Sequence, residues 1–213
     1  AGASPVRIIA GTFKGRPIAA PKGQSTRPTG GRTREAVFNL ISHADWAPPL
    51  DGARVIDLFA GSGALGLEAM SRGADFCVFV DSDSAARGAI RDNCETLGLF
   101  GSTRIQRRSA TDLGPIPAGV GAPFTIAFLD PPYNKGLVEP ALAQLAKGSW
   151  LADDAIAIVE TGADETLAFS GWELLDERTY GAAKVSFLKQ AWMFRRRYFF
   201  ITVSFSMPSS IRC

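Results

Sequence analysis

Val55-Ile56-Asp57-Leu58-Phe59-Ala60-Gly61-Ser62-Gly63-Ala64-Leu65-Gly66 reads as a buried strand, a glycine-rich turn and the start of a helix. Gly61 and Gly63 let the backbone adopt positive φ and approach a ligand closely. The helix runs on through Leu67-Glu68-Ala69-Met70 and stops near Ser71-Arg72-Gly73, a basic residue followed by a C-terminal glycine. A second strand, Phe76-Cys77-Val78-Phe79-Val80, ends in Asp81. An acid about 20 residues after such a turn is placed to bind ribose hydroxyls.

The pattern fits two cofactor classes. Gly61 to Gly66 matches the dinucleotide fingerprint G-x-G-x-x-G, a weak signal by itself. A phosphate-binding turn needs open N–H groups and no nearby anion. Asp57 stands four residues before Gly61 and would repel pyrophosphate. It would suit a cationic group such as the amino group of S-adenosylmethionine. A P-loop is excluded, because no Gly-Lys-Ser/Thr follows.

Downstream, Phe124-Thr125-Ile126-Ala127-Phe128-Leu129 reads as another buried strand and leads into Asp130-Pro131-Pro132-Tyr133. The prolines fix φ and remove two donors, so the chain turns stiffly and exposes a carbonyl. Asp130 and that carbonyl can accept hydrogen bonds from a planar amino group, and Tyr133 offers a face for stacking. The plain alternative is a Pro-Pro turn with a helix-capping Asp. A glycine turn that merely packs helix on strand would leave Asp57, Asp81 and Asp130 unexplained. All three fall at carboxyl ends of expected strands, where open α/β sheets bind ligands.

The remaining pattern alternates. A helix is expected over 84–97, with Asn93 and Cys94 as packing or surface residues. Thr103 to Arg107 is a weak third strand, and Leu137 to Leu145 a helix. Leu151-Ala152-Asp153-Asp154 caps into a strand from Ala155 to Glu160. Trp172–Leu175 and Lys184–Leu188 pair as a closing hairpin. Alternating strands and helices imply an α/β fold with a mainly parallel sheet and helices on both faces.

The chain has 213 residues and 46% hydrophobic content, enough for one α/β domain with an appendage. It has no run of 18 apolar residues, so no membrane span is expected, and no signal peptide is read at its start. Cys77, Cys94 and Cys213 are few and widely spaced, which points to a reducing, cytoplasmic compartment and to neither a disulfide framework nor a metal site. His43, the single histidine, reads as a surface residue.

The net charge of +2 conceals an asymmetry. Residues 1–40 carry Arg7, Lys14, Arg16, Lys22, Arg27, Arg32 and Arg34 against Glu35 alone, a balance of +6. Residues 191–213 carry +4, which leaves −8 on the body between. A basic arm on an acidic body fits a polyanion-binding appendage. Val6–Ala10 and Arg16–Ile18 read as short strands around a Gly11–Gly15 turn, and Thr33 to Ile41 as a helix.

The joined motifs resemble a known family. Asp57 through Ala69 with Ser71-Arg72-Gly73-Ala74, Arg7-Ile8-Ile9-Ala10-Gly11 with Lys14-Gly15-Arg16, Thr26-Arg27-Pro28-Thr29 with Arg32 through Asn39, and Tyr180-Gly181 with Lys184 through Leu188 are similar to the RsmD-type methyltransferases. The resemblance covers roughly residues 6–189. It implies a Rossmann-like fold whose seven-stranded sheet is mainly parallel with an antiparallel last strand. It implies S-adenosylmethionine as cofactor and a guanine exocyclic amine in small-subunit (16S) ribosomal RNA as acceptor.

On this reading Asp57 and the turn Phe59, Ala60, Gly61, Ser62 and Gly63 hold the methionine end. Asp81 holds the ribose, and Ser82, Ser109 and Ala110 the adenine region. Asp130, Pro131, Pro132 and Tyr133 form the catalytic motif. Arg7, Lys14, Arg16, Arg27, Arg32 and Arg34 face RNA. The chain then divides into a basic extension (1–47), a methyltransferase domain (48–190) and a tail (191–213), with a monomer as the default state. Two positions differ from the family pattern: Gly31 replaces the usual acid before Arg32, and Ser109-Ala110 replaces Asp-Ala. The tail does not resemble the family's end and reads as a frameshifted or otherwise non-native stretch. DNA adenine or a protein glutamine as acceptor, and a non-catalytic RNA-binding protein, remain as alternatives.

Overall fold

The computed structural model describes residues 6–22 and 30–191; Arg27 and the tail beyond Ala191 lie outside the described residues. The order of elements is α1 (Gly31–His43), β1 (Arg54–Leu58), α2 (Ala64–Ser71), β2 (Phe76–Val80), α3 (Ser84–Leu97), β3 (Thr103–Gln106), β4 (Phe124–Leu129), α4 (Val138–Lys147), β5 (Leu151–Gly162), β6 (Trp172–Tyr180) and β7 (Ala183–Gln190). The seven strands form one sheet in the order β3-β2-β1-β4-β5-β7-β6. β3, β2, β1, β4 and β5 are parallel. β7 runs antiparallel between β5 and β6, so the expected hairpin closes the sheet.

Strand alternation sorts the core onto two faces. On one face Val55, Phe79, Ile126, Phe128 and Ile158 pack with residues of α1, α2 and α3 and with Ile8 and Ile18 of the arm. On the other, Ile56, Leu58, Val80 and Leu129 pack with α4, Trp150 and the 113–123 loop. Phe38 of α1 meets Phe128 with ring centroids 5.5 Å apart, which seats α1 on the sheet beside the end of β4. Asp57 shares the parity of Val55 and therefore points beneath α2.

Two local expectations change. Among the described residues the arm forms no strand: its hairpin has one isolated bridge, between Arg7 and Pro17, with both Gly11 (φ 82°) and Gly15 (φ 81°) left-handed. The limbs also bond through Ile8 N to Arg16 O, Gly15 N to Ile8 O and Ile18 N to Val6 O, but Pro17 supplies no donor, and Ile9, Ala10, Thr12, Phe13 and Ala19 give their N–H groups to the helices. β5 begins at Leu151, not Ala155, because Leu151 pairs with Phe124 ahead of a register shift. The exposed Asp153 and Asp154 mask that start in the sequence.

The arm docks through buried polar chemistry. Glu68 is fully buried and accepts from the N–H groups of Ile9 (2.8 Å) and Ala10 (3.0 Å) and from Arg72 Nε (2.8 Å). Arg34 Nε lies 3.7 Å from its other oxygen. Ser71 Oγ donates to Ala10 O and accepts from Phe13 N, while Ser71 O accepts from Thr12 N. Gly11 lies so close that a Cβ there would stand 1.8 Å from Ser71 O. On α3, the buried Asn93 accepts from Ala19 N and donates to the carbonyls of Ala19 and Ser62. One side chain thus ties the arm to the glycine turn.

Candidate active site

The glycine turn is built from alternating left-handed residues: Phe59 (φ 58°), Gly61 (φ 57°) and Gly63 (φ 81°). Phe59 has a Cβ and holds this conformation at a cost of about 1–3 kcal/mol, a feature that clusters at ligand sites. Each glycine has a different reason. A Cβ at Gly63 would meet Phe79, Ile90 and Leu67 at 3.2–3.5 Å, and one at Gly66 would meet Phe79 at 2.4 Å. Those two permit helix-to-strand packing. A Cβ at Gly61 would meet nothing within 4 Å, so this side of the turn is open.

Two acids fix this turn. Asp81 Oδ2 accepts from Gly61 N at 2.9 Å, and its Oδ1 accepts from Asp83 N at 2.9 Å. Each oxygen keeps a second lone-pair direction, so Asp81 can also accept from a diol. Asp57 is 1% exposed, and its Oδ2 accepts from Gly66 N at 3.0 Å. Asp57, expected near a ligand's amino group, thus lies beneath α2 and anchors its first turn. Burial pushes its carboxyl well above the usual range. The Gly66 bond opposes this, while the charges of Asp130 and Asp81 push it further up. Asp57, Asp81 and Asp130 therefore lie within electrostatic reach of one another at the carboxyl edge of the sheet.

The other expected site residues lie around that edge. Ser82 is exposed, and its carbonyl accepts from Arg87 Nη1 at 2.7 Å. Ser109 is exposed and its hydroxyl is 2.8 Å from that of Thr111, while Ala110 is buried. Asp130 and Tyr133 are half-buried, Pro131 is buried and Pro132 exposed. Tyr133 Oη donates to Glu160 Oε1 at 2.5 Å, a partner the sequence reading did not identify. Its ring also lies against Gly162, where a Cβ would be 3.1 Å from Cδ2.

The basic residues separate into two groups. Arg7, Lys14, Arg16 and Arg32 are exposed. Arg34, expected on the RNA-facing surface, is instead buried: it is 2% exposed, donates to Arg7 O at 2.5 Å and pairs with Glu68. Burial lowers the pKa of its guanidinium, Glu68 raises it and Arg72 lowers it again. Lys135, exposed two residues after Tyr133, is a cation at the site edge that the charge count of the arm did not single out.

A mixed sheet of this order, with a glycine turn, an acid after β2 and an Asp-Pro-Pro-Tyr exit from β4, defines a Rossmann-like methyltransferase. The family model described as conserved hypothetical protein 95 matches residues 6–189. Ribosomal RNA small subunit methyltransferase D of Escherichia coli is 36% identical over 182 residues, covering 84% of this chain and 87% of that protein. The Haemophilus influenzae protein of the same name is 35% identical over 178 residues, 83% and 89% of the two chains. A solved structure of an Escherichia coli protein described as a methyltransferase superposes with a TM-score of 0.72 at 33% identity, covering 88% of this chain and 99% of that one. The chain belongs to this family, the RsmD-type methyltransferases.

Proposed function

We propose that this protein methylates the exocyclic amino group of a guanine in small-subunit ribosomal RNA, with S-adenosylmethionine as methyl donor. The observation that carries the reading is the convergence of Asp57, Asp81 and Asp130 around a glycine turn whose Gly61 side is open. Such an acidic crevice favours a cationic ligand and opposes the pyrophosphate of a dinucleotide. The names of the relatives in Escherichia coli and Haemophilus influenzae support ribosomal RNA as the substrate class.

The residues fit the cofactor as follows. The Phe59–Gly63 backbone would hold the methionine end, with Asp57 fixing the first turn of α2 from below through Gly66 N. Asp81 would accept from the ribose hydroxyls, and Ser82, Ser109 and Ala110 would border the adenine. S-adenosylmethionine, when bound, supplies a methyl group made electrophilic by its sulfonium.

The protein's own work is alignment and electrostatics. A guanine amino nitrogen is conjugated with its ring and is a poor nucleophile. Asp130 and the Pro131 carbonyl would accept its N–H groups, orient its lone pair and stabilise the positive charge that develops. Asp130 then takes the proton, directly or through water. Pro132 stiffens the turn. Tyr133, fixed by its hydroxyl, stacks on a base withdrawn from its helix. Residues 1–47 serve as the RNA-facing extension of the 48–190 domain, with Arg7, Lys14, Arg16 and Arg32 on phosphates.

Incubation with methyl-labelled S-adenosylmethionine and unmodified small ribosomal subunits, followed by digestion to nucleosides, tests this. Label in guanine methylated at its amino group is expected. Label only in protein or in DNA adenine offered as competitor would overturn the assignment.

A further inference from the structure

We infer that Glu160 determines which base the site accepts, by taking the N1–H of the guanine whose amino group Asp130 holds. The inference rests on the guanine reading above and names the residue that enforces it. β4 and β5 are adjacent and parallel, with Leu129 opposite Val159 in register. Asp130 follows β4 directly and Glu160 is the next residue of β5, so the register sets the two acids on neighbouring chains at the carboxyl edge of β4. Glu160 is 8% exposed and lines a small apolar cavity with Val37, Leu65, Phe128 and Ile158. An acid in such a lining must be hydrogen-bonded. Tyr133 meets part of that demand through the 2.5 Å bond to Oε1. A carboxylate has two oxygens and about four acceptor directions, so it can accept from a base alongside its other partners.

The pairing matches one base edge. Guanine presents two neighbouring donors, N1–H and the C2 amino group. Asp130 and Glu160 are two neighbouring acceptors. Adenine presents an amino group beside the lone pair of N1, which would face the Glu160 carboxylate with no proton between them. Glu160 therefore rejects adenine electrostatically while Asp130 treats either amine alike. A site built to bond a substrate N–H discriminates strongly against an analogue lacking it. Glu160 acts on base identity and holds Tyr133 in place; proton removal stays with Asp130.

The test compares small-subunit RNA carrying guanine or 2-aminopurine at the modified position. 2-Aminopurine keeps the C2 amino group and lacks N1–H. The wild-type protein should favour guanine at least ~100-fold in kcat/KM. Glu160→Gln, whose amide can donate to N1 as well as accept, should shrink that ratio at least ~10-fold with S-adenosylmethionine affinity unchanged. Tyr133→Phe, which releases the Glu160 carboxylate without neutralising it, should keep the wild-type ratio. A wild-type protein indifferent to the two bases, or equal ratios in wild type and Glu160→Gln, would overturn the inference. So would a Tyr133→Phe ratio that falls as far as that of Glu160→Gln. Transfer to neither RNA would instead remove the guanine reading itself, and this inference with it.

Discussion

Asp81, just past the end of β2, accepts the N–H of Gly61 at 2.9 Å, which ties the acid after β2 to the glycine turn after β1. The bond explains how a turn with three left-handed residues stays formed. It also couples two halves of the proposed cofactor site that are separated in the sequence.

Asp81→Ala should therefore weaken S-adenosylmethionine binding twice over, by losing the diol acceptor and by loosening Gly61. A charge-assisted hydrogen bond contributes about 1.5–3 kcal/mol, which corresponds to a loss of roughly 10- to 100-fold in affinity. Calorimetric titration checks this. An unchanged Kd would remove Asp81 from the cofactor site.

Asp57→Asn should stabilise the fold at neutral pH. Its carboxyl is raised by burial, so the native state holds that proton more tightly than the unfolded chain. The group's favourable contribution is present below the ordinary aspartate range and is lost as pH rises through the raised native value. Asparagine keeps an acceptor for Gly66 N and removes the buried charge. Thermal melts across a pH series should show the variant's advantage growing from acid to neutral pH. Parallel curves would contradict this.

Glu68→Ala should destabilise by about 3–5 kcal/mol, because it leaves Arg34 buried without its counter-charge. It also removes the acceptor of Ile9 and Ala10, so the arm should become protease-sensitive first. Denaturant melts and limited proteolysis with residue-level mapping distinguish global from local loss.

Neutralising Arg7, Lys14, Arg16 or Arg32 should lower RNA affinity and reduce its salt slope by about 1 for each phosphate no longer neutralised. Arg34→Ala should behave differently and lower the melting temperature with little change in slope, since Arg34 spends its charge on Glu68. Binding isotherms at several salt concentrations separate the two groups.

Much of this architecture was legible in the sequence. β1, β2 and β4 are buried on both faces, so their apolar runs stand out, and each ends near an acid. The direction of Asp57 was also legible, since it shares a face with Val55. The fate of Arg34 was not legible. Its partner, Glu68, is 34 residues away on another helix, and only the docking of α1 and the arm on α2 joins them. Glu160 was hidden for a similar reason. It sits at the end of an apolar run, and its meaning comes from its register beside Asp130 and its bond to Tyr133. The arm misled in a third way. Its β-like sequence forms one bridge among the described residues, because the N–H groups of Ile9, Ala10, Phe13 and Ala19 bond to side chains of Glu68, Ser71 and Asn93 and not across the hairpin.

The most direct measurement is single-turnover methyl transfer to unmodified small ribosomal subunits by the wild type and by Asp130→Ala, with S-adenosylmethionine binding measured on both. Removing a group that orients the nucleophile and takes its proton should slow transfer by about 100-fold or more, with cofactor affinity and melting temperature little changed. Transfer at the wild-type rate by Asp130→Ala would contradict the account.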